Sequence, residues 1–337
     1  YNSEILTSLL AERSITLQQL SDRLGVDPLT LARELSGNER PPAKLINKIA
    51  QQLAVPPFVF YMTRSPPLKK AILDFRSETG TPRPRHPSTF KAIQIAEAVQ
   101  EITTSKNIRR IQTRLPRLRI TRDLAEIKKQ ALQIRQVINL SLEDQIRAKD
   151  ARSFYSICRK KIEDCGIFVL QINFDHEDGS GFCLSEGEFP VITINTSRQS
   201  SGRRLFTLAH EFAHVLLGQS GTSDPFTLRN ETEKFCNLFA SHFLLPEVYL
   251  PRLLFGKRPT ARPDVEEIRR LANRLKISQQ ATALRLEQEG LTSQGSYEAW
   301  LRSVHNENPD FKEKRFKTRA KIEKQVEKTK LARFGFT

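Results

Sequence analysis

The chain lacks most features of a secreted or membrane-inserted protein. No run of about 18 apolar residues occurs, so no membrane span is expected. The first residues are polar and helix-forming, without the apolar stretch of a signal peptide. Only four cysteines occur in 337 residues, Cys158, Cys165, Cys183 and Cys236, and no two have C-x-x-C spacing. That scatter excludes a disulfide framework and points to a reducing compartment, with the cytoplasm as the expected location. No internal repeat stands out, which excludes a solenoid.

Acidic charge is also in deficit. Lys and Arg number 54 against 38 Asp and Glu, a net charge of +16, and such an excess suits an acidic partner such as nucleic acid. The excess is concentrated in Lys106 to Arg135 and in Lys312 to Arg333, where ten Lys or Arg face three Glu. A solvated helix face is the simpler reading of either run. Hydrophobic residues make up 38% of the chain, enough for real cores, and the length suggests two or three domains.

Organisation follows from periodicity. Residues 1–60 read as short helices, with Leu17, Leu20 and Leu24 spaced for one face and Thr16 with Gln19 as a capping box. Gly25 breaks that helix, Pro28 opens the next, and a further helix runs from Ala43 to Leu53. Residues 56–90 are proline-rich and read as a connector, and 88–150 as long basic helices broken by Pro116. From 150 the pattern is helix (Phe154–Asp164), three strands (Ile167–Phe174, Gly179–Leu184, Val191–Ile194), then helices over Arg203–Leu217, Thr232–Leu245, Asp264–Leu275 and Ser278–Glu289. That order indicates an α+β domain. The division expected is 1–65, 66–150, 151–295 and a basic tail at 296–337.

One pattern carries chemistry. His210-Glu211-Phe212-Ala213-His214 puts two histidines at i and i+4 on one helix face, so both rings can reach one ion. Glu211 lies a quarter-turn round, placed to take a proton from a water that zinc has acidified. The flanks of this helix are apolar nearly all round, so it is expected to be buried, where three titratable groups need compensation. A pair of satisfied core histidines is the competing reading. A hydrolytic zinc site wants a third protein ligand. By chemistry alone Glu231, Glu233, His242 or Asp224 would serve, three of them on the next helix, whose apolar face reads as Phe235, Cys236, Leu238, Phe239, Phe243 and Leu244.

The order of motifs resembles the ImmA/IrrE metallopeptidases. The matching pieces are Arg204 to His214, Glu233-Lys-Phe-Cys-Asn-Leu-Phe-Ala240, Leu244-Leu-Pro246, the strand Val191 to Asn195, and Val265 to Leu286. The resemblance implies a zincin-like fold over about 150–295 and a zinc cofactor. It also implies Glu233 as third ligand, from an E-x-x-[AC]-N segment, and Asn237 as a residue supporting the ligands. Glu231 is then a first-turn acid, His242 structural and Cys236 a core residue. Tyr249 and Arg285 are candidates to steady the tetrahedral intermediate. The resemblance further implies a regulatory protease whose substrate is a DNA-binding repressor or an antitoxin-type protein.

The segment Leu17 to Val26, followed by Pro28–Leu35, resembles a repressor-like (XRE) helix-turn-helix. Its second helix would offer Thr30, Arg33 and Glu34 to base edges, with Arg40 for phosphate. A helical bundle that docks a partner protein is the alternative.

Overall fold

The computed structural model describes residues 1–36, 41–63, 73–74, 85–105, 115–219, 221–223, 231–254, 256 and 258–307. Four short helices open the chain: α1 (Ser3–Glu12), α2 (Leu17–Leu24), α3 (Pro28–Leu35) and α4 (Ala43–Gln52). The capping box of α2 is formed by Thr16 and Gln19, and Gly25 ends the helix in the left-handed conformation, φ 64°. Asp27 then caps α3. Ile5, Leu9, Leu20, Leu31, Ile46, Ile49 and Phe60 close a separate small core.

A five-stranded mixed sheet follows, in the order β1 (Leu73–Asp74), β5 (Gly221–Ser223), β3 (Gly181–Leu184), β4 (Val191–Asn195), β2 (Phe168–Ile172). β2 runs parallel to β4, with Val169 opposite Ile192, and β3 runs antiparallel to β4, with Cys183 opposite Ile192. β1 and β5 are additions to the three expected strands; two and three residues are too few to show a period.

Strand alternation gives the sheet two apolar faces. Leu170, Phe182, Leu184 and Val191 pack beneath α5 (Pro87–Ser105) through its Ala92, Ile93 and Ala96. Asp178 accepts from His86 N at 2.7 Å and Thr89 Oγ1 at 2.6 Å, fixing the start of α5. Gln100 Nε2 reaches the carbonyls of Glu186 and Phe189, both at 2.9 Å, in the turn between β3 and β4.

The opposite face, with Val169, Cys183, Ile192 and Ile194, belongs to the main core. Its helices are α6 (Leu124–Val137), α7 (Leu142–Arg147), α8 (Ala151–Glu163), α9 (Ser201–Leu217), α10 (Glu231–Leu244), α11 (Leu250–Leu253), α12 (Val265–Leu275), α13 (Gln279–Gln288) and α14 (Ser296–Glu307).

Two stretches read from composition as connector (66–150) and tail (296–337) therefore share the main core in part. Leu118, Ile127, Ala131, Ile134, Ile138, Leu140 and Leu142 are buried in it, as are Trp300 and Val304. The many charges mask an apolar stripe at helical spacing; Arg119, Arg122 and Lys129 are exposed, while Arg135 is buried. The first part of this stretch also lies along the end of α9: Leu118 N donates to Leu216 O at 3.2 Å. Gly218 takes the left-handed cap there at φ +74°, and Arg117 lies against it where a Cβ would stand. A guanidinium at a helix C-terminus complements the helix dipole.

Among the described residues, no helix is long and apolar enough to cross a membrane. The four cysteines are free and buried.

Candidate metal centre

α9 is set by its ends and its burial. Ser200 caps it by accepting from Arg203 N, and every residue from Thr207 to Leu216 is buried. The i, i+4 spacing aims His210 and His214 at the same point, their rings 4.9 Å apart. α10 packs across α9 through Phe212 and Phe243, an edge-on pair at 5.8 Å. That packing turns the first turn of α10 towards the histidines. Leu238, read from sequence as part of the apolar face of α10, is 36% exposed, because the Phe235–Phe239–Phe243 stripe is centred away from it.

Three buried side chains converge. His214 Nε2 lies 3.1 Å from His210 Nε2. Glu233 places Oε2 3.3 Å from His210 Nε2 and Oε1 3.1 Å from His214 Nε2. All three residues are fully buried. Among the described residues this is the single His/Cys/Asp/Glu group with spacing fit for an ion. Ligands about 2.0–2.1 Å from a tetrahedral zinc lie about 3.3 Å from one another. The observed separations match that edge, so the donor set fits such an ion in number, chemistry and spacing.

The local electrostatics explain why the triad is costly by itself. Burial opposes charge on His210, but the carboxylate of Glu233, with Glu211 and Asn237, outweighs it and pushes that ring up. His214 goes down, because burial dominates there and His210 adds to it. Glu233 is held low: burial would raise it, but hydrogen bonds and charge from the two histidines prevail. A buried ion pair of this kind needs compensation that a cation would supply.

Asn237 follows Glu233 by one helical turn, so both face His210. Its Oδ1 stands 3.0 Å from His210 Nδ1. With Nδ1–H donating to that oxygen, the Nε2 lone pair is turned to the ligand side. Asn237→Ala is expected to weaken binding of a metal at this centre about 10–100-fold. Competition with a chromophoric chelator measures this; an unchanged affinity would remove the orienting role.

Glu211 is fully buried on the next stripe of α9. Its Oε1 lies against β3 at Gly181. Nothing in the motif reading singled out Gly181; an isolated glycine in a strand, a signal of close backbone approach, was the available cue.

The remaining expectations divide. Glu231 is exposed and paired with Arg122 at 2.9 Å and Lys234 at 3.1 Å, away from the triad. Asp224 lies outside the described residues. Cys236 is buried in the core, its thiol pushed up by burial and by Glu233 and Glu211. Arg285 and Tyr249 do not reach the triad. Arg285 Nη2 bonds His242 Nδ1 at 2.6 Å and Leu245 O at 3.1 Å, and pairs with Glu289 at 3.0 Å. His242 lies nine residues beyond Glu233 on α10, about 13 Å along the axis. Tyr249 stacks under Arg135, 5.0 Å away.

His242 carries a pH signature. Burial, then Arg285 and Lys128, lower it to about 3. An unfolded histidine titrates near about 6.5. Between these values the unfolded chain binds the extra proton, so stability is full above about pH 6.5 and falls as pH drops towards 3. The slope from this residue is at most about 1.4 kcal/mol per pH unit. His242→Gln is expected to flatten the acid limb of a stability–pH curve; an identical limb would rule the residue out as its source.

In the N-terminal bundle, Thr30 donates its hydroxyl to Asp27 at 3.1 Å, so it serves the helix cap. Arg33 is exposed on α3, Glu34 is half-buried, and Arg40 lies outside the described residues.

Residues 162–287 match the family model Peptidase_M78, described as the IrrE N-terminal-like domain. The match spans His210, Glu211, His214 and Glu233 and ends within α13. A comparison with curated proteins finds no match.

Proposed function

We propose that this chain is a zinc-dependent endopeptidase of the gluzincin kind, with His210, His214 and Glu233 holding the ion and Glu211 as general base. The observation that carries the proposal is the convergence of three buried side chains, the two Nε2 atoms 3.1 Å apart and each 3.1–3.3 Å from one oxygen of Glu233, beside a second buried carboxylate. The match of residues 162–287 to a peptidase family supports it independently.

A zinc bound there would polarise the scissile carbonyl and acidify an attacking water. Glu211 accepts the proton of that water as it attacks, then returns it to the departing amine nitrogen. Asn237 holds the His210 ring in the tautomer that leaves Nε2 free. Glu233 is kept ionised by the two imidazoles beside it. Burial of the whole group strengthens each of these interactions.

The proposal extends to a regulatory role in the cytoplasm: the substrate is a helix-turn-helix repressor or an antitoxin-type protein. Support comes from the motif resemblance and from the repressor-like pattern of α2 and α3. The catalytic unit is taken to include residues 115–150 and 296–307 with 151–295, since they share one core. Co-expression with repressor genes encoded nearby tests this. Wild type should yield a cleaved repressor by mass spectrometry and Glu211→Gln an intact one. Equal cleavage by both would sink the base assignment.

A second reading is a transcriptional regulator that uses the metallopeptidase fold as a sensor or scaffold. The exposed Arg33 on α3 favours it. It requires sequence-specific DNA binding by the full chain at physiological salt, as opposed to the salt-sensitive, sequence-blind binding that net positive charge alone produces.

A further inference from the structure

Gly181 is the first residue of β3, held in register opposite Ile194 on β4 and Ser223 on β5. Its backbone does not require glycine, because it is not among the residues at positive φ. The requirement is one of space. A Cβ at this position would stand 2.8 Å from Thr207 Cγ2, 2.9 Å from Thr193 O and 3.1 Å from Glu211 Oε1. Thr193 O belongs to the interior strand β4, whose ladders to β2 and β3 pin it. Thr207 is fully buried and β-branched, so its methyl has little freedom. The Glu211 carboxylate, at the end of three side-chain torsions, gives way most readily of the three, while the two contacts under 3.0 Å also require β3 to shift against β4 and α9.

We propose that Gly181 is a positioning residue for the general base: its missing side chain forms the seat in which the Glu211 carboxylate rests against β3, and a Cβ there crowds that carboxylate before it reaches a metal ligand. This rests on the reading of Glu211 as base. None of the three atoms nearest such a Cβ belongs to His210, His214 or Glu233, so base position is expected to be disturbed before metal capture.

The test needs no substrate. The full-length chain is loaded with cobalt(II) and titrated with acetohydroxamate, followed by the visible spectrum. A hydroxamic acid gives up its N–OH proton on chelating a metal, and here the proton passes to Glu211. Gly181→Ala should bind cobalt with the wild-type stoichiometry. Its acetohydroxamate affinity should fall about tenfold, the scale of one lost hydrogen bond to a charged group. Glu211→Gln should lose at least as much, and adding Gly181→Ala to it should change affinity by less than about twofold, because both act through one carboxylate.

Wild-type affinity in Gly181→Ala overturns the seat. So does a further tenfold loss on the Glu211→Gln background, or loss of cobalt by Gly181→Ala. If Gly181→Ala does not fold, the same comparison is made on Thr207→Ser, which removes the methyl nearest the new Cβ; the same outcomes decide. Failure of the underlying reading looks different: wild type takes up no cobalt, or Glu211→Gln binds the hydroxamate as wild type does, and either overturns seat and base together.

Discussion

His210→Ala and Glu233→Ala are each expected to purify without metal, while Glu211→Gln keeps about one zinc per chain and loses turnover by about 10²–10⁴-fold, the usual contribution of a positioned base. The split follows from geometry. His210 and Glu233 each supply a donor to a group whose contacts run 3.1–3.3 Å, and removing one leaves two ligands, too few for a tight site. Glu211 supplies none: its Oε1 lies against Gly181. Metal content by elemental analysis and cleavage of the identified substrate are the two measurements. A Glu211→Gln protein lacking zinc would make Glu211 a ligand and undo the assignment. Chelation should also lower the melting temperature of wild type, since an ion that binds only the folded chain adds about 2.7 kcal/mol at a hundredfold excess over its dissociation constant. The His210→Ala and Glu233→Ala proteins should melt at the same temperature with and without chelator.

Arg135→Met is expected to destabilise the catalytic unit by about 3–5 kcal/mol, from several buried carbonyls left without a donor at about 1–3 kcal/mol each. Arg135 is fully buried on α6. It donates to Phe243 O at 2.8 Å, Ser141 O at 3.0 Å and Leu140 O at 3.2 Å. Its guanidinium thus caps the C-terminal end of α10, where helix carbonyls have no partner and the helix dipole is negative. Gln145 continues the tie, donating to Leu244 O at 3.2 Å and Leu275 O at 2.8 Å. The same helix carries Glu233 in its first turn, so the cap anchors a metal-site element from its far end. A drop in melting temperature of about 6–20 °C is the expected reading for a unit this size. Arg135→Lys should recover little, because one ammonium cannot reproduce the planar fork. A melting temperature within about 1 °C of wild type for Arg135→Met would show that water or side-chain rearrangement satisfies those carbonyls.

The sequence by itself determined the local chemistry. Two histidines four apart must share a helix face, whatever surrounds them, because 3.6 residues make a turn. The apolar flanks of α9 required its burial, the capping box at Thr16 set the start of α2, and alternation marked β2. These features depend on residues within a few positions of one another, so a one-dimensional reading reaches them.

Only the tertiary structure decided which distant groups meet. The choice among Glu231, Glu233, His242 and Asp224 could not come from spacing, since all are carboxylates or imidazoles within reach in chain terms. Packing of α10 on α9 turned Glu233 inward, left Glu231 with Arg122 in solvent and carried His242 to the far end of the helix. Arg285 and Tyr249 were drawn to a polar cluster and to Arg135 for the same reason. The burial of Arg135 within a basic run was hidden by composition, because average charge says nothing of which side chain finds carbonyl partners inside. The H-E-x-x-H pattern is legible from five consecutive residues; the meeting of its histidines with Glu233 and Asn237, and of Glu211 with Gly181, is seen where one helix crosses another and both close on a strand.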